Sequence, residues 1–349
     1  MSFEIPLVPS FDTVAAAACA ARIDALAKPP GSLGRLEALA AQVAGVQGRA
    51  TPTASRPRVI VFAADHGVAR AEAVTPYPPE VTGAMVATFA RGTAAVAVLA
   101  RAAGADLEVV DVGVAGLGEV TPVAGVRVVR APVGPGTANL AVAAAMSAED
   151  CVAALAAGKA AVDRAAADGA DLLALGEMGI GNTTAAAALA ARLLGRPAVE
   201  LVGPGTGLDA AGVGRKAAVV QRALDRGGPA DPLGALADLG GYEITALTGA
   251  LLQAGVRRIP VLLDGVIVGA AALVAVRLAP ELRRHWIPAS RSAEPGHAAI
   301  LADLDLGPPL LDWGLRLGEA SAATLALPLV VAATRIPAQM ATLASVLGG

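Results

Sequence analysis

Beyond residue 57, short apolar runs alternate with longer Ala-rich stretches, and this alternation constrains the fold more than any other feature of the chain. The runs are V-I-V-F-A-A (59–64), L-E-V-V-D-V (107–112), L-L-A-L (172–175), I-P-V-L-L (259–263) and H-W-I-P (285–288). They are short and apolar with little polar alternation, which is how strands buried on both faces read. Between them lie helical stretches near 80–103, 147–168, 182–194, 208–225, 241–255 and 266–279. Strand-then-helix alternation predicts an α/β fold: a mostly parallel sheet with helices on both faces.

The two ends of the chain read differently. Residues 12–27 and 35–47 carry Ala, Leu and Ile at helical spacing, separated by K-P-P-G-S-L-G at 28–34, and so predict a helical hairpin. From 306 onward the strand signal fades and two helices are expected, near 318–334 and 337–347. Residues 1–50 and 306–349 are therefore expected to pack as a small helical domain beside a large α/β domain at 51–305.

Bulk properties exclude several classes. Net charge is −3 with Lys and Arg scattered, so no basic stripe exists to follow a nucleic-acid backbone, and two Trp, two Tyr and four Phe leave few platforms for stacking bases. Cys19 and Cys151 each sit in Ala-rich helical sequence without a neighbouring Cys or His, which reads as buried small residues. The apolar runs are broken by Asp264, Arg277 and Pro328 before reaching the ~20 residues of a bilayer span. No basic-then-apolar leader is visible at the N-terminus, so a cytoplasmic protein without a membrane partner is expected.

Two carboxylate-bearing segments carry the chemistry. G-E-M-G-I-G-N-T-T (176–184) follows an apolar strand and runs into a helix, and such a glycine turn lets backbone N–H groups and a helix N-terminus hold an anion. R-L-G-E-A-S (316–321) places Glu319 alone in an apolar stretch, where it reads either as a proton acceptor or as a helix cap acting through the dipole. A second glycine cluster, V-G-P-G-T-G-L-D (202–209), precedes a helix bearing Lys216, so the two turns and the lysine resemble a divided phosphate cradle. The P-loop order and G-x-G-x-x-G are absent, as are H-E-x-x-H, a Cys–His pair and G-x-S-x-G, leaving no metal or serine-hydrolase machinery. Asp65, Asp111, Glu177 and Asp264 each stand at a strand's carboxyl end and are expected to ring one cleft. His66 reads as a structural hydrogen-bonding residue and His297 as the organiser of a turn.

These segments resemble the nicotinate-nucleotide:dimethylbenzimidazole phosphoribosyltransferase family. The matching runs are K-P-P-G-S-L-G-R-L-E (28–37), A-A-D-H-G-V (63–68), D-V-G-V (111–114), G-E-M-G-I-G-N-T-T (176–184), G-P-G-T-G-L-D (203–209), L-L-D-G (262–265), S-A-E-P-G-H (292–297) and R-L-G-E (316–319), in the family's order along nearly the whole chain. The resemblance implies a homodimer with a Rossmann-like large domain and a small domain built from both termini. It implies Glu319 as the catalytic base with Glu177 beside it. Nicotinate mononucleotide would be held by Gly176, Gly179, Asn182, Thr183, Thr184, Gly203, Gly205 and Lys216, with Asp264 and Leu317 also at the substrates. Thr75, Pro76 and Met85 belong to the segment 73–85 that would border the acceptor base; there Thr75 stands where Ser is common, and Gly83-Ala84 replaces a pair with a larger polar side chain. No cofactor or metal is implied. Two rivals remain at this point: the same donor with another acceptor base or a phenol, and a non-catalytic nucleotide-binding homologue.

Overall fold

A computed structural model describes residues 3–348. Six strands form one wholly parallel sheet: β1 (Pro57–Ala64), β2 (Asp106–Gly113), β3 (Val126–Arg130), β4 (Leu172–Met178), β5 (Val261–Leu263) and β6 (Trp286–Pro288). Their order is β3-β2-β1-β4-β5-β6. The chain starts in the middle, winds outward to β3 and then returns to the other side, so the order reverses between β1 and β4. This is the Rossmann-like doubly wound arrangement, in which ligands bind beyond the strands' carboxyl ends near the reversal.

Side-chain alternation along β1 explains the two layers. Val59, Val61 and Ala63 belong to one apolar core, while Ile60, Phe62 and Ala64 belong to the other, and all six are buried. The second core is closed by the helices Ala148–Ala167, Asn182–Leu194, Tyr242–Val256 and Val266–Leu278. The first is closed by Ala95–Ala103, the N-terminal pair Thr13–Asp24 and Arg35–Gln47, and the long C-terminal helix Ser321–Gln339, which rests on β4 and β5. Ile23, Val43, Leu327 and Val330 thus share one core with Val59 and Leu172.

The structure departs from the sequence reading at several places. Strand β3 lies outside the expected runs: its V-R-V-V-R alternates charge with apolar residues because it is a half-exposed edge. The stretch 80–103 is two helices, Val81–Ala90 and Ala95–Ala103, separated at Gly92, whose φ is +70°. Two helices opened by proline, Pro232–Leu239 and Pro295–Leu304, stand outside the expected helical stretches, although Pro suits a first helical turn. The C-terminal pair is one helix, Ser321–Gln339, running through Pro328 and Pro337, then the single turn Leu343–Val346. Length and composition would let two stretches cross a bilayer, Val81–Ala103 and Ser321–Gln339, contrary to the expectation that none would. The first is the broken pair, and the second buries Ala323, Leu327 and Val330 against the sheet.

Candidate active site

The cavity at the carboxyl edge of the sheet spans β4, β5 and β6. Its lining comes from Glu177 and Met178 at the end of β4, the turn through Gly179, Ile180, Asn182 and Thr183, and Asp264 to Val268 after β5. Gly205 and Thr206 of the second glycine turn, Ser290, Ser292 and Glu294 after β6, the loop Leu315–Glu319, and Ser321 and Ala322 complete it. Asp65 and Asp111, expected to join this ring, do not line it. Each is buried and neutralised locally: Asp65 accepts the Ala115 N–H (3.0 Å) and pairs with Arg70 (3.2 Å). Asp111 accepts the N–H groups of Gly113 (3.0 Å) and Val114 (2.8 Å) and pairs with Arg130 (2.7 Å).

Glu319 reaches the cavity from a turn in an unusual conformation. Gly318, Glu319 and Ala320 all have positive φ, at +82°, +61° and +60°, immediately before the helix Ser321–Gln339. Left-handed backbone at non-glycine residues is costly and persists only where its surroundings enforce it. Here the contacts are close: a Cβ on Gly318 would lie 2.7 Å from Glu177 Oε1, and a Cβ on Gly176 would meet Ala320 Cα at 2.6 Å. Glycine at both positions lets the turn seat directly on β4. Asn182 Nδ2 donates to Glu177 Oε2, and the Glu319 backbone N–H beside Glu177 favours its anion.

Among the described residues, Glu177, Asp264 and Glu319 form no ion pair with Lys, Arg or His. Burial pushes Glu177 well above the usual carboxylate range, and the charges of Glu243, Asp264 and Glu319 add to it. Burial, with the Asp264 charge, raises Glu319 to about 7, and burial raises Asp264 to about 6 against the backbone N–H groups beside it. Glu319 Oε2 is buried without a hydrogen-bond partner. An acid near 7 that faces a cavity is suited to take a proton from a substrate near neutral pH.

The glycine turns form the other wall. The helix Asn182–Leu194 starts at Gly181 with no side-chain cap; the Asn182 and Thr184 N–H groups donate to the Gly179 (3.1 Å) and Gly181 (2.9 Å) carbonyls, which leaves the Thr183 N–H for an anion. Lys216 is buried beneath this wall: its Nζ donates to Thr183 Oγ1 (2.7 Å) and to the Gly203 carbonyl (3.3 Å), tying the two turns together. Burial lowers its ammonium to about 8, with Glu294 acting in the opposite direction. Glu294 Oε1 accepts the Gly205 N–H (2.8 Å).

Among the residues singled out from sequence, Glu177, Gly179, Asn182, Thr183, Gly205, Asp264, Leu317 and Glu319 line the cavity together. Gly176, Thr184, Gly203 and Lys216 lie behind that lining. Thr75 and Pro76 sit in a bend outside it, and Met85 packs against the core of the first layer. Their segment does touch the site's edge, where Thr82 Oγ1 accepts the Ile180 N–H (3.1 Å). Sequence reasoning missed Ser290, Ser292, Glu294 and Glu243. The run S-A-E-P-G-H pointed to Ser292 and Glu294, because His297 Nδ1 accepts the Ser292 N–H (2.9 Å) and shapes that turn. Nothing marked Glu243, whose Oε1 lies 2.7 Å from His66 Nε2 in a fully buried pair behind β4. Among the described residues no His, Cys, Asp and Glu side chains cluster as a metal site.

A phosphoribosyltransferase family model matches residues 8–346. Curated relatives named nicotinate-nucleotide–dimethylbenzimidazole phosphoribosyltransferase include one from Azotobacter vinelandii, 53% identical over 95% of this chain and 94% of its own. Another, from Roseiflexus sp., is 48% identical over 98% and 96%. A crystal structure of CobT from Thermus thermophilus superposes with a TM-score of 0.88 at 48% identity, covering 94% of this chain and 97% of that one.

Proposed function

The chain belongs to the nicotinate-nucleotide–dimethylbenzimidazole phosphoribosyltransferase family, and from that premise we propose how its cavity performs the reaction. The enzyme moves the 5-phosphoribosyl group of nicotinate mononucleotide to 5,6-dimethylbenzimidazole, giving α-ribazole 5′-phosphate and nicotinate for the nucleotide loop of cobalamin. One observation carries the assignment of roles: two buried carboxylates from distant segments, Glu177 and Glu319, meet at one cavity beside the glycine turns.

The donor's leaving group is a pyridinium, so breaking its glycosidic bond releases a neutral ring nitrogen and needs no general acid. The acceptor sets the demand. When one benzimidazole nitrogen bonds to C1′, its other N–H turns acidic, and Glu319 takes that proton. Glu177 faces the positive charge that develops at C1′ as the bond to nicotinate breaks. Attack from the face opposite nicotinate inverts the anomeric centre and gives the α-riboside. The turns around Gly179, Asn182, Thr183 and Gly205, braced by Lys216, hold the phosphoribosyl group, so much of the rate comes from positioning.

The homodimer, the cytoplasmic location and the division into a terminal unit (1–50 and 306–349) and a large one (51–305) belong to the same reading. Trp313 and Leu317, 69% and 54% exposed, offer apolar surface to a second subunit beside the Glu319 loop. Sedimentation of the purified chain tests that pairing. The test of the reaction mixes protein, nicotinate mononucleotide and a panel of acceptors while following nicotinate release and the α-riboside. Transfer to dimethylbenzimidazole supports the proposal; transfer only to a purine or a phenol, or binding without turnover, replaces it with a rival.

A further inference from the structure

We propose that Asp264 is a positioning residue that caps the helix after Glu319 and thereby holds the left-handed Gly318–Glu319–Ala320 turn with its carboxylate facing the cavity. The inference rests on the reaction assigned above and reassigns Asp264, whose place in the cavity lining would otherwise make it a substrate contact. One of its oxygens is already engaged by the protein. The Ala323 N–H donates to Asp264 Oδ1 at 2.9 Å, and the backbone N–H groups of Ala322 and Ala320 beside the same carboxylate favour its ionised form.

A helix leaves its first N–H groups unpartnered, and a neighbouring side-chain oxygen normally serves them. Here the local cap position is Ala320, which has no such oxygen, so the acceptor comes from the end of β5 instead. Ser321 N–H returns to the Gly318 carbonyl (2.9 Å) and Thr324 N–H to the Ala320 carbonyl (2.8 Å), which closes the turn on itself. Two consecutive non-glycine residues, Glu319 and Ala320, in left-handed conformation are unfavourable. Asp264 offsets part of that cost, and the seating of Ala320 on Gly176 offsets more.

Asp264 also acts on Glu319 through its charge. The ionisable groups around Glu319 are Asp264 from β5, Glu177 from β4, Glu243 behind it, Arg316 on the same loop, and Glu294 with Lys216 across the cavity. Of these, Asp264 is the one whose charge pushes Glu319 upward. Neutralising Asp264 therefore lets Glu319 ionise at lower pH.

The experiment compares wild type, Asp264→Asn and Asp264→Ala for nicotinate release across pH. Asn keeps an oxygen for the helix N–H groups and loses the charge, whereas Ala loses both. The expected result is a kcat loss of about 10²-fold in D264A with KM for nicotinate mononucleotide within about threefold, because the base is misplaced while the cradle stands. D264N keeps kcat within about tenfold, and the acid limb of its kcat/KM profile moves down by about one pH unit. Equal losses in both variants, or a raised KM with kcat and the limb unmoved, overturn the proposal and make Asp264 a substrate contact. Should D264A fail to fold, the limb in D264N decides alone. Absence of turnover in wild type would count against the assigned reaction. In that event the melting temperatures of D264N and D264A still decide: D264A should melt below D264N, because only Asn keeps an oxygen for the helix N–H groups, and equal melting temperatures overturn the capping role.

Discussion

The carboxyl edge of the sheet presents carboxylates on both sides of its reversal point, and the two sides handle them in opposite ways. At the ends of β1 and β2, Asp65 and Asp111 are buried but each meets an arginine and loop N–H groups. At the ends of β4 and β5, Glu177 and Asp264, joined by Glu319, are also buried, yet none forms an ion pair with Lys or Arg among the described residues. An acid at a strand's end is thus a structural fixture when its counterion is built in. It becomes a reagent when it is buried without a counterion, because burial, helped at Glu177 and Glu319 by neighbouring acids, lifts its affinity for a proton toward neutral pH.

The strongest way to break this comparison is to remove basicity on the reagent side without changing shape. Glu319→Gln is expected to lower turnover by about 10²-fold or more while nicotinate mononucleotide binding, measured by calorimetry, stays nearly unchanged. On the fixture side the effect should fall on folding instead. Asp111→Ala strips the acceptor from two buried N–H groups and leaves Arg130 only the Leu117 and Gly118 carbonyls, so urea unfolding should show a loss of about 2–3 kcal/mol. Folded D111A should keep kcat/KM close to wild type. A catalytic defect there without a stability defect would erase the distinction.

The two sides also differ in their response to pH. With Glu319 at about 7 in the free enzyme, kcat/KM should fall roughly tenfold per pH unit on the acid side of that value. Stability moves the other way. A carboxyl group whose folded pKa lies above its unfolded one stabilises the fold while protonated, fully so below about 4.5, and this contribution is lost as pH rises through about 7. E319Q, which cannot ionise, should therefore gain on wild type in thermal melts as pH climbs across that window. A gap that narrows instead would mean that Glu319 is stabilised as the anion.

Much of this organisation was legible in the sequence, since buried parallel strands leave apolar runs and β1, β2 and β4 stood out on that ground. Glu177 and Glu319 were legible because a lone acid in apolar sequence is conspicuous. The edge strand β3 was hidden by its own arginines, and the helices at Pro232 and Pro295 by prolines that also mark loops. Counterions were not legible: Arg70 follows Asp65 closely, but Arg130 reaches Asp111 only because β3 pairs beside β2. The role of Asp264 was invisible for the same reason, since the Ala323 N–H that it accepts lies in a helix brought over β5 by the fold.

The smallest effect is the sharpest test of where the site ends. Arg70 is half exposed and bonds Asp65 at 3.2 Å and Glu80 at 3.5 Å, and such exposed pairs contribute under about 1 kcal/mol. Asp65 would keep the Ala115 N–H in Arg70→Ala, so the melting temperature should move little. Because Asp65 stands outside the cavity lining, releasing its charge should also leave the acid limb of nicotinate release in place. If R70A instead shifts that limb upward, the freed carboxylate is acting on Glu319 across the reversal point. The two sides of the sheet edge would then be one electrostatic site, with the arginines that neutralise Asp65 and Asp111 setting the pKa of the base.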